Sequence, residues 1–182
     1  MRFKKSYIIH SQLTLPFLET PEEHLKEIFS ILESQFNLKK NSNQKLIDLG
    51  AGNGSVVIFV SLNYGIKATG LEIDPVLVEE AREKIKMIKN RDKNLKKLIK
   101  KAKVYNRDIY TSNLKKYDFI YLFGLPTMHS LLKHVLKTAK KGAILICYKY
   151  ECKDLDDLIK LILKIKHKNR KDKINSYLYT II

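Results

Sequence analysis

After residue 20, apolar positions recur at helical spacing. Leu25, Ile28, Phe29, Leu32 and Phe36 share one face and predict a helix to about residue 36. Thr20-Pro-Glu-Glu23 just ahead reads as an N-cap, a first-turn proline and two first-turn acids. Short apolar runs then alternate with longer helical patterns. Residues 45–49 read as a strand that ends in glycines, 55–64 as an apolar helix and 68–73 as the next strand. Asp74-Pro75 opens a helix to about Lys89, with a break at 90–94 and a resumption toward Lys101. Strands follow at 103–106 and 118–123, then a helix over 127–140 stopped by Gly142, and a fifth strand over 143–150. Near the end, 161–166 alternates apolar residues with lysine, 169–173 is turn-like and 174–182 is a strand rich in Tyr and Ile. That pattern predicts a hairpin, although 155–163 reads equally well as the start of a helix.

Strands that are apolar throughout, alternating with helices, belong in a parallel sheet covered on both faces. The expected fold is α/β: a single Rossmann-like, doubly wound sheet, mostly parallel, with a C-terminal antiparallel hairpin. At 182 residues the chain reads as one domain, 1–182, with an opening segment and helix over 1–40 and the Rossmann-like core over 45–182. Apolar residues make up 45% and charged residues 30%, which excludes a disordered chain. The longest apolar runs, 56–60 and 143–148, are far short of the roughly 18 residues of a membrane span. The basic start Met1–His10 lacks a long apolar stretch and reads as part of the mature protein. Two cysteines, Cys147 and Cys152, cannot build a disulfide framework, so a reducing cytoplasm is the expected location. Cys147 falls in an apolar run and reads as a buried strand residue.

Charge sharpens the picture. The formal net charge is +16, and two stretches hold nearly all of it. Residues 82–103 carry eleven Lys or Arg against Glu83 and Asp92, and residues 160–173 carry seven against Asp172. Such concentration fits an acidic partner, nucleic acid included. The plainer reading is lysines on the wet faces of helices, since Ile85, Ile88, Leu95, Leu98, Ile99 and Ala102 keep near-helical spacing between them.

The most informative segment is Leu46-Ile-Asp-Leu-Gly-Ala-Gly-Asn-Gly-Ser55. Glycines at a strand end permit a tight turn and close approach of backbone to ligand, and the next helix offers its N-terminus to anionic groups. The spacing Gly50-x-Gly52-x-Gly54 differs from the dinucleotide pattern, whose third glycine position is held by Ser55. Asp48 stands two residues before the first glycine, where an acid would repel a pyrophosphate. It suits instead a ligand with a positive amino group, such as the methionine part of S-adenosylmethionine. Glu72 ends the second strand, placed for two ribose hydroxyls, and Asp108 lies just past the third strand, within reach of an adenine amino group. Three acids at three consecutive strand ends beside a glycine loop point to S-adenosylmethionine as cofactor.

On these residues the sequence resembles the class I S-adenosylmethionine-dependent methyltransferases: Asp48-Leu-Gly-Ala-Gly-Asn-Gly54 looks like their first motif and Gly70-Leu-Glu-Ile-Asp74 like their second acidic strand end. The resemblance implies a cofactor set of Thr20, Asp48, Gly50, Ala51, Gly52, Asn53, Glu72, Ile73, Asp108 and Ile109. The fourth strand, Tyr117-Asp-Phe-Ile-Tyr-Leu-Phe-Gly-Leu-Pro-Thr-Met128, lacks the Asn/Asp-Pro-Pro-Tyr/Phe box of nucleic-acid amino methyltransferases. Its Phe-Gly-Leu-Pro-x-Met run is similar to the small seven-strand protein-lysine methyltransferases, a branch that includes an archaeal broad-specificity enzyme and mitochondrial enzymes acting on an ATP synthase subunit and the adenine nucleotide carrier. Leu15-Pro-Phe-Leu-Glu-Thr-Pro21 resembles their Pro-Tyr-Val-Pro-Thr segment, and Tyr177-Leu-Tyr179 their last strand. Against that pattern, Phe17 replaces a tyrosine and Glu19 a proline, while Asn53 stands for a usual Asp and Ser55 for a frequent Arg.

The resemblance implies methyl transfer to lysine of an acceptor protein, the chain itself included, through a channel walled by Phe17, Phe123, Leu125 and Pro126, where main-chain carbonyls could orient the amine. An amine must lose its proton before attacking a sulfonium, and an apolar tunnel beside positive sulfur favours the neutral form. Neither metal nor covalent nucleophile is required, and the five histidines, His10, His24, His129, His134 and His167, are scattered; His129 reads as a helix-start residue rather than a base. No catalytic base is named. The alternative is an RNA or DNA methyltransferase that uses the basic stretches 82–103 and 160–173. A small-molecule methyltransferase and a non-catalytic cofactor-binding or nucleic-acid-binding module fit less of the sequence.

Overall fold

The computed structural model describes residues 18–153, 155–167 and 174–182. The expectations for Phe17 and the rest of 1–17, and for the turn at 169–173, lie outside the described residues. Strands β1 (Lys45–Leu49), β2 (Lys67–Glu72), β3 (Ala102–Asn106), β4 (Phe119–Leu122), β5 (Ile144–Tyr148), β6 (Ile159–Lys166) and β7 (Asn175–Ile181) form one sheet, ordered β3-β2-β1-β4-β5-β7-β6. β1 to β5 are parallel, and β7 returns antiparallel between β5 and β6. The α/β, mostly parallel architecture with an antiparallel C-terminal hairpin is as expected. Strand order reverses between β1 and β4, and that switch point opens a crevice at the carboxyl ends of the strands.

Alternation along each strand divides the core in two. Leu46, Phe119, Ile146 and Leu178 face helices α1 (Glu22–Gln35), α2 (Ser55–Tyr64) and α3 (Pro75–Arg91), and join Ile28, Phe29, Val57, Val60 and Ala81. Ile47, Leu49, Ile120, Leu145 and Tyr179 face the other way, and pack on Leu132, Val135 and Leu136. Cys147 lies fully buried on this second face. Helix α2 is buried on nearly every side, which accounts for its almost unbroken apolar sequence, and it ends at Gly65 in the left-handed conformation.

Local sequence signals were overridden in three places. Thr20 does not cap α1: Pro21 holds the cap position, and the Thr20 hydroxyl pairs with Tyr121 across the fold at 2.8 Å. The helix expected over 127–140 is two short ones, α5 (Pro126–Leu131) and α6 (Lys133–Leu136), following α4 (Leu95–Ile99) in the chain. The Leu132 amide is shared between Met128 and His129 carbonyls, and the Thr138 hydroxyl donates to the Val135 carbonyl and accepts the Leu114 amide, so side chains compete with the helical ladder. Finally, 155–163 does not start as a helix. β6 begins at Ile159 on the sheet edge, where exposed Lys160, Lys164 and Lys166 discourage pairing with another edge.

Gly70 lets the loop after β1 sit down on β2. A β-carbon there would stand 2.5 Å from the Ala51 β-carbon and 3.1 Å from Val57 Cγ2. Gly70→Ala is expected to cost about 1–3 kcal/mol, as overpacked sites do, and to lower the thermal midpoint in calorimetry. An unchanged midpoint would show that the loop is not seated this tightly.

Candidate active site

β1 runs straight into the glycine loop, where Gly50, Gly52 and Gly54 all have positive φ (91°, 50° and 79°). The turn is pinned from beneath: Gly50 and Ala51 amides both donate to the Leu71 carbonyl at 2.9 Å, and the Gly52 amide donates to Glu72 Oε2 at 2.8 Å. The other Glu72 oxygen accepts the Ile73 and Asp74 amides at 2.7 and 2.9 Å. Glu72 therefore joins the loop to the end of β2, while both its oxygens keep further acceptor capacity. The Asn106 amide group and the Arg107 backbone amide tie the β3 end to the Glu72 carbonyl. Just beyond, the Asp108 carboxylate accepts the Tyr110 amide and caps the turn Ile109–Thr111. The three acids thus stand at the ends of three adjacent strands.

Asp48 is opposite Gly70 on one side and Tyr121 on the other. It is 2% exposed, and among the described residues its carboxylate has no hydrogen-bond donor. Burial first, and the nearby Glu72 charge second, push its pKa up to about 8. The folded-state value lies above the unfolded one. Asp48 therefore stabilises the ligand-free chain most at low pH, and that contribution is lost as pH rises toward 8.

An open cleft lies over Asp48. It is lined by Leu18, Glu19 and Thr20 ahead of α1, by Gly50, Ala51 and Asn53 of the glycine loop that floors it, by Ser55 and Val56 at the start of α2, and by Tyr121 and Phe123 from β4 and just beyond. Of the residues singled out from sequence, Thr20, Asp48, Gly50, Ala51, Asn53 and Phe123 meet here. Gly52 and Glu72 support the floor. Ile73 is exposed beyond β2, and Ile109 is buried in the second core face. Leu125 and Pro126 are not in the cleft wall among the described residues; they open α5, and Pro126 is exposed. Sequence reasoning missed Tyr121, whose only mark was a lone hydroxyl in the apolar strand Phe119–Leu122. Three of the departures noted above meet each other: the Ser55 hydroxyl lies between the Glu19 carboxylate and Asn53 Oδ1.

A second polar group sits beside Phe123. Tyr148, the last residue of β5, packs edge-on against the Phe123 ring at 4.8 Å. Its hydroxyl is 2.6 Å from His24 Nδ1. The His24 ring stacks on His167 at 4.2 Å, and His167 reaches Glu27 at 2.6 Å and Ser176 at 2.7 Å. Burial and then His167 lower the His24 pKa, whereas burial raises that of Tyr148 to about 12. Tyr148 is thus a neutral phenol beside a neutral imidazole at pH 7. His129, by contrast, is buried within α5, with its ring bonded to the Gly124 carbonyl at 3.0 Å.

The family described as the ANTKMT methyltransferase domain matches residues 48–158, from Asp48 through the strand-end acids and the fourth and fifth strands. The chain belongs to this family. It is an S-adenosylmethionine-dependent methyltransferase. Two relatives are both named as lysine N-methyltransferases of the ATP synthase C-subunit. The one from Caenorhabditis elegans is 23% identical over 80% of this chain and 72% of its own length, and the one from Xenopus laevis is 24% identical over 72% and 51%. Among solved structures, an RNA methyltransferase from Salinibacter ruber with bound S-adenosyl-L-homocysteine superposes with a TM-score of 0.70 at 18% identity, covering 90% of this chain and 94% of its own. Magnesium protoporphyrin IX methyltransferase from Synechocystis PCC 6803 gives 0.66 at 17%, covering 87% and 78%. Acceptors as different as these share the fold, so the fold alone does not choose the acceptor.

The cleft fits the cofactor on its own chemistry. Asp48 is a buried acid without a cation, which an α-ammonium would supply. Above Gly50 a β-carbon would meet nothing within 4 Å, leaving the loop open to a close ligand. Because the ammonium needs Asp48 ionised, cofactor binding at pH 7 should release most of one proton. Calorimetry in two buffers of different ionisation enthalpy measures this. Asp48→Asn should abolish that release and weaken binding at least tenfold; release that persisted in the variant would remove Asp48 from the role.

Proposed function

We propose that this methyltransferase acts on lysine side chains of protein. The observation that carries the reading is the agreement of both relatives on a lysine acceptor, with alignments that cover most of this chain. The cleft supports it. Beside the cofactor floor stand Tyr121 and Phe123, an aromatic wall that suits a long aliphatic stem ending in an amine. A lysine amine has an ordinary pKa near 10.4. Burial next to a sulfonium disfavours its charged form, and alignment in the cleft supplies the in-line geometry of attack. The amine lone pair then forms the new N–C bond as the S–C bond breaks, leaving S-adenosyl-L-homocysteine.

The acceptor protein fits a partner for the basic surface of α3 and α4, where Lys84, Lys89, Arg91, Lys93, Lys96 and Lys97 are charged and mostly exposed. In this reading that surface docks an acidic protein, or its own lysines serve as acceptors. The test uses S-adenosylmethionine carrying a tritiated methyl group, incubated separately with mixed cellular protein, with the ATP synthase C-subunit, and with total RNA. Label is expected in methyl-lysine after acid hydrolysis of the protein samples. Label in RNA alone would overturn the lysine reading and shift attention to the basic stretches. Site mapping that found no methyl-lysine within 82–103 would remove self-methylation there.

A further inference from the structure

The acceptor amine must lose a proton before it attacks; of the two carboxylates that line the cleft with Phe123, Glu19 is bonded to the Ser55 hydroxyl and Asp48 is the partner argued above for the cofactor ammonium. The buried pair next to that ring supplies the missing route. Tyr148 shares the cleft face of the sheet with Tyr121, one strand farther from Asp48, and its ring touches the Phe123 wall. Its hydroxyl is held by His24, itself only 3% exposed. Histidine and tyrosine used for packing alone would be a poor choice, since polar atoms in a core cost stability unless fully satisfied. Yet His24 Nε2 is buried and has no hydrogen-bond partner. The nearest carboxylate is Glu23 Oε1, 3.9 Å away and mostly exposed. One end of the imidazole is thus committed to Tyr148, while the other is buried and unsatisfied, with the exposed Glu23 carboxylate as its neighbour.

Resting on the lysine reading, we infer that Tyr148 and His24 form the proton exit for the acceptor amine. The Tyr148 oxygen accepts a hydrogen bond from the ammonium. As the ammonium proton moves to the phenol oxygen, the phenol proton moves to His24 Nδ1, and the imidazolium later returns a proton to solvent. The amine is left neutral with its lone pair free, Tyr148 is again a phenol, and no charge stays beside the sulfonium. The groups facing His24 fit a transient cation. Glu23 and Glu27 on α1 favour it, His167 after β6 opposes it, and Tyr148 from β5 carries no charge of its own. His167 in turn is fixed by Glu27 and Ser176, so His24 stacks on an immobile partner. In this scheme Tyr148 meets the amine, and His24 is a positioning and relay residue that acts through it.

The test is the pH dependence of methyl transfer to the protein acceptor labelled above, for the full chain and for Tyr148→Phe and His24→Asn. Tyr148→Phe keeps the ring against Phe123 and removes only the hydroxyl. The wild-type rate should rise through the His24 transition below pH 6.5 and then level off. Each variant should lose about a hundredfold in kcat at pH 7, within the usual span for general acid–base help. That deficit should shrink to about twofold by about pH 10.5, where the amine deprotonates unaided. Cofactor affinity by calorimetry should stay within about twofold in Tyr148→Phe, which keeps a failure to fold from being mistaken for the effect. A loss of equal size at every pH would mean simple packing and overturn the relay, as would no loss at all. Wild-type protein that labels no lysine would overturn the lysine reading, and the relay with it.

Discussion

Everything at this site turns on one buried carboxylate. Asp48 sits near the end of the central strand, enclosed and without a donor among the described residues, so that it stays largely protonated at pH 7 until a cation arrives. The surrounding structure holds this arrangement rather than relieving it. Gly70 opposite leaves no side chain to cover the loop, and the Leu71 carbonyl and Glu72 carboxylate clamp the glycine turn in place. An ammonium arriving there would displace that proton and leave the carboxylate paired.

A second set of contacts ties the start of α1 to the sheet: Thr20, just ahead of it, bonds Tyr121 of β4, and His24 bonds Tyr148 of β5. These bonds join residues 101 and 124 positions apart and fix the helix relative to the sheet. Leu18, Glu19 and Thr20 are thereby carried into the cleft wall. Methyl transfer to an amine requires alignment and a neutral nucleophile more than it requires a reactive side chain. The aromatic rings at the cleft, with hydroxyls bonded internally, carry no charge of their own.

Sharing a fold with an RNA methyltransferase and a porphyrin methyltransferase is consistent with this division of labour. Before α1 and after β4, this chain brings Glu19 against Ser55 and Phe123 against Tyr148.

The sequence by itself determined the alternation of strands and helices, the glycine turn and the three strand-end acids. These depend on local periodicity and short spacing, which one stretch of chain carries alone. It also marked β1 and α2 with their observed bounds, because glycines punctuate that unit. Only the tertiary structure decided that Thr20 would leave its capping role for Tyr121, that the 127–140 helix would break at Leu132, and that 155–163 would lead into an edge strand. In each case partners brought in by packing outweighed a local preference worth about a kilocalorie per mole. The His24–Tyr148–His167 cluster was invisible for the same reason. Nothing along the chain relates residues 24, 148 and 167; the antiparallel return of β7 beside β5 and the crossing of α1 bring them together.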